Sequence, residues 1–354
     1  MKESQGIILA PLGVLYSAVT RARRALYKRR ILKSNKISAP VISIGNITTG
    51  GTGKTPLVEW VARAVSREGR RVCILTRGYA RKNEGSRVVV SDGEHILADA
   101  REGGDEPRLL AESLQGIASV ISDADRTSAA RYAIEKFKSE VFILDDGFQH
   151  LRIARDLDIV TVDATNPWGG ERLLPMGRLR EPLRELRRAD LIILTRAEQA
   201  QDILSLRKQT ERLSNGCPVI LSRTRTKLLR PLTETTESDP FESSLHPSAL
   251  IPHPFVAFCA IGNPSAFFKQ IQSDGYKLKL TRSFPDHHAY TQTEVDEIVY
   301  EAKQVGAEAL MTTVKDAVKL RSLRFDLPCY VLEIELEFDD EEKLTTMLRE
   351  AIAE

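Results

Sequence analysis

Short, continuously apolar runs rich in β-branched residues alternate with helical periodicity along the first two thirds of the chain. Val41–Ile44, Val72–Thr76, Ser119–Ile121, Val141–Leu144, Asp158–Val162 and Leu191–Thr195 read as strands, with helices such as Leu57–Arg67 and Arg126–Lys138 between them. Strands that are apolar at nearly every position must be covered on both faces, which predicts a mostly parallel sheet in an α/β fold. After Val219–Leu221 the periodicity fades, and residues 223–254 carry scattered Thr, Ser, Glu, Pro and His, as a linker would. A second βα series starts at Phe255–Ile261. It continues through helices Pro264–Ser273 and Glu294–Val305 and strands Ala309–Thr313 and Tyr330–Glu335. The expected organisation is a segment over 1–36, a larger α/β domain over 37–222, a linker over 223–254 and a smaller α/β domain over 255–354.

Composition sharpens this picture at two places. The formal net charge of +2 over 354 residues names no partner, but residues 1–36 hold nine Lys or Arg against the single acid Glu3. The same segment begins with an apolar run, Gly6–Val19, of 14 residues interrupted by Pro11. That is shorter than the ~20 residues a spanning helix needs. An apolar run followed by a dense basic stretch suits an interfacial anchor on anionic lipid better than a cleaved signal peptide. Four cysteines, Cys73, Cys217, Cys259 and Cys329, are far apart and show no ligand spacing. They read as buried thiols of a reducing compartment rather than as a disulfide or zinc framework.

The strongest local signal follows the first strand. Val41–Asn46 leads into Thr48-Thr49-Gly50-Gly51-Thr52-Gly53-Lys54-Thr55, and Pro56 then opens a helix. Such a loop turns backbone N–H groups and a helix N-terminus towards phosphate oxygens. Lys54 would reach the outer phosphates and Thr55 would ligate Mg²⁺. The strict G-x-x-x-x-G-K-[ST] pattern would place glycine at position 48, where this chain has Thr48. A strand ending in Asp145 and Asp146 supplies the carboxylates such a loop needs for a metal, because two adjacent acids otherwise repel. The fold class is therefore α/β, with a P-loop NTPase-type sheet and a second, smaller α/β domain. Gln149 and His150, on the loop after the acids, and Asn46, before the phosphate loop, are candidate substrate contacts. Arg178, within an arginine-rich run from Arg172 to Arg188, is another, although an ion-paired surface would explain those arginines equally well.

Transfer of phosphate to an alcohol also needs a proton acceptor. Gly104-Asp105-Glu106-Pro107 offers an acid pair on a glycine turn, although the same string is a good helix start. Phe284-Pro285-Asp286-His287-His288 offers imidazoles in the second domain.

Taken together these segments resemble the tetraacyldisaccharide 4'-kinase family of lipid A biosynthesis. The resemblance rests on Gly45-Asn46 with Thr48–Pro56, Leu75–Tyr79, Gly104–Pro107, Leu144–His150, Arg155–Asp158, Leu174-Pro175 with Gly177–Pro182, Arg187–Asp190, Phe284–His287 and Thr313-Val-Lys-Asp316. They run in order over most of the chain, and Thr48 fits the family's own form of the loop. The resemblance implies transfer of the ATP γ-phosphate to the 4'-hydroxyl of a tetraacylated glucosamine disaccharide 1-phosphate, giving lipid IVA. It further implies ATP and Mg²⁺ as cofactors, Asp105 as catalytic base with His287 as its partner, and Lys54, Thr55, Asp145 and Asp146 as the nucleotide–metal set. The partners it implies are the acylated lipid and, through the N-terminal segment, the cytoplasmic face of the inner membrane, with no nucleic acid and no required protein partner.

Two other classes share part of the pattern. A P-loop switch NTPase is one, since Thr313-Val-Lys315-Asp316 bears a faint likeness to the base-reading Lys-x-Asp element of such proteins, and a kinase of a soluble small molecule, which would leave the N-terminal segment idle, is the other. Deleting residues 1–36 should abolish co-sedimentation with anionic phospholipid vesicles and depress turnover on lipid acceptor. Unchanged sedimentation and turnover would favour the soluble-substrate kinase.

Overall fold

A computed structural model describes residues 17–79, 81, 83, 85–232 and 253–353. Most of the apolar N-terminal run and residues 233–252 of the stretch read as a linker lie outside the described residues. Two compact units emerge: residues up to Arg223 together with those from Glu337, and Thr224–Leu336.

The first unit opens with a helix over 17–28 (α1) and then β1 (Val41–Asn46), α2 (Lys54–Arg67), β2 (Val72–Thr76) and β3 (Val88–Ser91). It continues with α3 (Ala100–Gly103), α4 (Asp105–Ser113), β4 (Ala118–Ser122), α5 (Arg126–Phe137), β5 (Val141–Asp145) and β6 (Leu157–Asp163). β7 (Leu191–Thr195), α6 (Ile203–Leu213) and the start of β8 (Val219–Pro231) complete this run. The strands lie in the order β8-β7-β6-β1-β5-β2-β4-β3, all parallel except β3, which runs antiparallel to β4. β1 thus sits between β5 and β6, with later strands added on both sides, and the strand order reverses there. In open α/β sheets the crevice at the carboxyl ends of such strands is where ligands bind. The full burial of β1, β2, β5, β6 and β7 explains their continuous apolar sequences. On one side of the sheet Val41, Cys73, Leu75, Ile121, Phe142 and Leu144 pack against Ala129, Ala130 and Ala133, small residues that let α5 lie close. Asp125 caps that helix by accepting from the N–H groups of Thr127 and Ser128, both at 3.1 Å.

The second unit takes the rest of β8, then β9 (Pro254–Cys259), α7 (Pro264–Ser273), β10 (Lys277–Ser283), α8 (Gln292–Gln304), β11 (Ala309–Thr313), α9 (Val314–Leu320) and most of β12 (Cys329–Phe338). β9 pairs in parallel with β10 and β11, and β11 with β12. Alternate β9 residues feed the two faces. Val256 and Phe258 join Ile298, Leu310 and Val331, while Phe255, Ala257 and Cys259 join Ile271, Met311 and Tyr330. From the end of β12 the chain returns to the first unit and closes with α10 (Glu341–Ile352).

Three features differ from the sequence expectation. β8 runs on to Pro231, through residues read as linker: Arg223, Arg225 and Lys227 are exposed and alternate with half-buried Thr224, Thr226 and Leu228. The period of two is present but is carried by threonines, so it looked polar throughout. β10 was overlooked for a related reason, its lysines and serine facing solvent at every second position. Residues from 337, read as the tail of the second domain, belong to the first unit. There the Phe338 ring meets Trp60 edge-on at 4.9 Å, Asp339 N–H donates to Leu221 O at 3.0 Å, and Arg349 pairs with Glu68 at 2.9 Å. All four cysteines are buried and unbridged, and burial pushes the Cys73 thiol up to about 12, as inert core thiols require.

Phe142 is fully buried at the centre of this sheet. Phe142→Ala should cost about 3–5 kcal/mol in urea unfolding followed by tryptophan fluorescence, whereas a loss below ~1 kcal/mol would mean that this core is not close-packed.

Candidate active site

The phosphate loop follows from sequence-dictated geometry. β1 must end close to the loop after β5, and Gly45 permits it, since a Cβ there would lie 2.6 Å from Phe148 Cβ and N. Gly53, at φ 76, turns the chain in the left-handed region so that Lys54 starts α2. Asn46 Nδ2 donates to Thr52 Oγ1 at 2.9 Å, Thr52 Oγ1 meets Thr161 Oγ1 at 2.8 Å, and Thr195 Oγ1 donates to Thr52 O at 3.0 Å. Asn46 and Thr52 are thereby internal struts of the loop. Residues 178–180 brace its other side: Thr49 N–H donates to Arg178 O at 2.7 Å, Arg178 Nε to Thr49 O at 2.9 Å, and Arg180 N–H to Ile47 O at 2.7 Å. Arg196 Nη1, itself paired with Asp163 at 2.5 Å, donates to Gly51 O at 2.9 Å.

The β1–β5 register places Asp145 opposite Ile44, just ahead of this loop. Asp146, left-handed at φ 55, turns its carboxylate to Lys54 Nζ at 3.3 Å and Arg180 Nη1 at 2.6 Å. Burial works against its charge, but Lys54 and Arg180 outweigh that and hold the carboxyl well below the usual carboxylate range. Asp145 is in the opposite situation. Burial first, and then the neighbouring Glu106 carboxylate, push it up to about 7 despite Lys54. The two acids that looked alike in sequence are therefore held in different states, one committed to two cations and one short of positive charge. Arg126, buried at the start of α5, feels both acids, and its Nε has no hydrogen-bond partner among the described residues.

The remaining candidates separate clearly. Gln149 Nε2 donates to Asn46 O at 2.8 Å, so it ties the acidic loop to β1. His150 is pushed down to about 3 by burial and then by Arg126, Arg23, Arg152 and Arg155, so it is a neutral imidazole at physiological pH. Three arginines of the run are ion-paired: Arg180 with Asp146, Arg184 with Glu185, and Arg188 with Glu181 and Glu185. Asp105 starts α4 after Gly104 at φ 101, with Glu106 beside it. In the second unit His287 stands at φ 65 with Nε2 3.9 Å from Asp286, while His288 is committed to Glu294 at 2.9 Å and stacks on Phe284 at 4.8 Å. Asp316, the acid of the Thr313-Val-Lys-Asp316 string, is fully buried and accepts from Ala260 N–H, Tyr290 O–H and Thr313 Oγ1. It presents nothing to a nucleotide base. Sequence reasoning missed Glu106 as a neighbour of Asp145, and it missed Arg126, Arg196 and Asp163. A usable signal existed, because Asp163, Thr195 and Arg196 are polar residues at the carboxyl ends of buried strands, where a doubly wound sheet places its site.

A phosphate loop on the central parallel strand, its lysine facing acids from the adjacent strand, defines a P-loop phosphotransferase. The family model for tetraacyldisaccharide-1-P 4'-kinase matches residues 5–353. The chain is 38% identical over 323 residues to the tetraacyldisaccharide 4'-kinase of Desulfotalea psychrophila, covering 90% of this chain and 89% of that protein. It is 38% identical over 361 residues to that of Chlorobium phaeovibrioides, covering 99% of each. The solved structure of LpxK from Aquifex aeolicus in complex with ATP superposes with a TM-score of 0.76 at 32% identity, covering 98% of this chain and 99% of that one. The chain belongs to the tetraacyldisaccharide-1-P 4'-kinase family and is an ATP-dependent lipid kinase.

Asp145 ionises less readily folded than unfolded, so its contribution to stability is complete below the ordinary carboxylate range and is lost as pH rises through about 7. In nucleotide- and metal-free protein, Asp145→Asn should therefore raise Tm at pH 8, with the gain vanishing towards pH 4. An equal Tm difference at both pH values would refute this account of Asp145.

Proposed function

We propose that Lys54 and the loop amides of residues 48–55 hold the ATP phosphates, and that Thr55 and Asp145 hold Mg²⁺. The observation that carries this reading is the contrast between the two acids. Lys54 and Arg180 already pair with Asp146, whereas Asp145 is buried near Glu106 and forms no ion pair among the described residues. This donor set suits Mg²⁺, which takes one or two carboxylates and fills its octahedron with water and phosphate oxygens. A group of three or more acidic, His or Cys ligands, which is absent among the described residues, is not needed for that. Bound there, Mg²⁺ would offset charge on the phosphate oxygens. Lys54 stabilises charge developing on the transferred group, and it does so without rearrangement because its helix and loop are braced from both sides.

Asp105 is the group we assign to accept the 4'-hydroxyl proton. It opens α4 directly after the Gly104 turn. His287 is its proposed partner, and His288 is the weaker candidate because Glu294 and Phe284 already occupy its ring. The membrane reading rests on α1 and the turn after it, which expose Val19, Leu26, Ile31 and Leu32 among Arg21, Arg23, Lys28, Arg29 and Arg30. Arg24 ties this helix to Glu185 at 2.5 Å. No helix among the described residues is long and apolar enough to cross a membrane. The surface suits peripheral attachment to anionic lipid, in accord with a place on the cytoplasmic face of the inner membrane.

The deciding assay is transfer of labelled γ-phosphate from ATP to tetraacyldisaccharide 1-phosphate in mixed micelles, with and without Mg²⁺. Labelling of the lipid should require Mg²⁺, and Asp105→Ala should lower kcat by roughly 10²–10⁴-fold. An Asp105→Ala enzyme with parental turnover would remove Asp105 from the base role, and metal-independent labelling would remove Mg²⁺ from the reading.

A further inference from the structure

In the Thr313-Val-Lys-Asp316 string Asp316 is fully buried, and the string makes a dense set of contacts within the second unit. Two of them, with a third from Lys319, reach the loop between β10 and α8, which carries His287, at Asp286, Tyr290 and His288. Lys315 Nζ donates to Asp286 Oδ1 at 3.0 Å, on the residue immediately before His287. Lys319, one turn further along α9, donates through Nζ to His288 O at 3.1 Å, on the residue immediately after it. Asp316, between the two lysines in sequence, accepts from Tyr290 O–H at 3.1 Å and is itself fixed by both Ala260 N–H contacts at 3.1 Å and by Thr313 Oγ1 at 2.7 Å. The far end of the loop is closed by the Thr291–Glu294 capping box, and Glu294 also takes His288. At the near end, Phe284 N–H donates to Cys259 O at 2.9 Å. His287 sits between these anchors in the left-handed region, an uncommon conformation for a residue with a Cβ.

We propose that Lys315 is a positioning residue for the phosphoryl-transfer reaction, acting by pinning Asp286 so that the His287 imidazole is held in its working orientation. This inference rests on the reading that His287 takes part in the reaction. Lys315 does two things at once. It draws the Asp286 carboxylate to its own ammonium, which keeps that carboxylate from closing the 3.9 Å gap to His287 Nε2 as a full ion pair. It also anchors the loop one residue before the left-handed turn, while Lys319 anchors it one residue after. Lys315 is three-quarters or more buried and Asp286 about two-thirds, so the pair is partly shielded from solvent. Lysine at 315 and aspartate at 316 are thus separate tools on successive residues: the acid holds the base of the loop through Tyr290, and the lysine sets its tip.

The test uses the full chain and compares Lys315→Met, Lys315→Arg, Asp286→Asn and His287→Ala with the double variant Lys315→Met/His287→Ala in the lipid kinase assay. Lys315→Met should lower kcat roughly 10–100-fold, as a small misplacement near the chemistry does, with KM for ATP and Tm close to the parent. Lys315→Arg should recover most of that loss. In the His287→Ala background Lys315→Met should add nothing further. Asp286→Asn, which breaks the same contact from the other side, should reproduce the loss and guards against a folding defect at position 315. Parental kcat in both Lys315→Met and Asp286→Asn, alongside an impaired His287→Ala, would overturn the positioning role. An equal loss from Lys315→Met with and without His287 would overturn it as well. A His287→Ala enzyme with parental kcat would instead overturn the reading of His287 on which the proposal rests.

Discussion

The pairing of Lys54 with Asp146 depends on a backbone arrangement that everything else in the first unit serves. Both charges sit at the carboxyl ends of adjacent parallel strands or just beyond them, one on the helix after β1 and one on the turn after β5. A sheet buried on both faces has no room for charge along its strands, so polar chemistry is confined to the strand ends. The close approach of Gly45 to Phe148 brings the two turns within reach, and the struts from Thr161, Thr195, Arg178 and Arg196 keep the loop in place. Preorganisation of this kind is what electrostatic stabilisation of a transferring phosphoryl group requires, because dipoles and charges that are already oriented need no rearrangement during the reaction.

The arginine run behind the loop shows the cost of such an arrangement. Arg188 lies over the Phe148 ring at 4.0 Å and pairs with Glu181 and Glu185, both buried, while Arg24 of α1 reaches Glu185. Burial raises the Glu181 carboxyl and lowers the Arg188 guanidinium from their ordinary ranges, so neither charge is comfortable without the other. Replacing one partner of such a pair leaves an uncompensated buried charge, which is why the network acts as a fixed scaffold. It also gives α1 a defined seat while its apolar residues remain exposed.

In the second unit a single buried carboxylate takes the corresponding role. Asp316 gathers Ala260, Tyr290 and Thr313, and burial raises its carboxyl even though those donors favour the charge. The Tyr290 end of the loop bearing His287 is therefore held by a hydrogen bond to a group that no solvent reaches. The same string looks in sequence like a base-reading element. Only its burial shows that it faces inwards.

The sequence by itself determined the fold class, most strands of both units, the phosphate loop and the acidic strand end, because each depends on local order: apolar runs, a glycine turn before Lys54, adjacent acids after Leu144. It determined family membership for the same reason, since ordered motifs survive as strings. Tertiary structure decided what strings cannot carry. It separated Asp145 from Asp146 by pairing the second with two cations and burying the first near an acidic neighbour. It tied Arg178 to the phosphate loop through Thr49, divided His287 from His288, extended β8 through an apparently polar stretch and returned residues 337–353 to the first unit. In each case the deciding quantity is which groups meet across distant parts of the chain and how much water is left between them, and neither is encoded in local spacing.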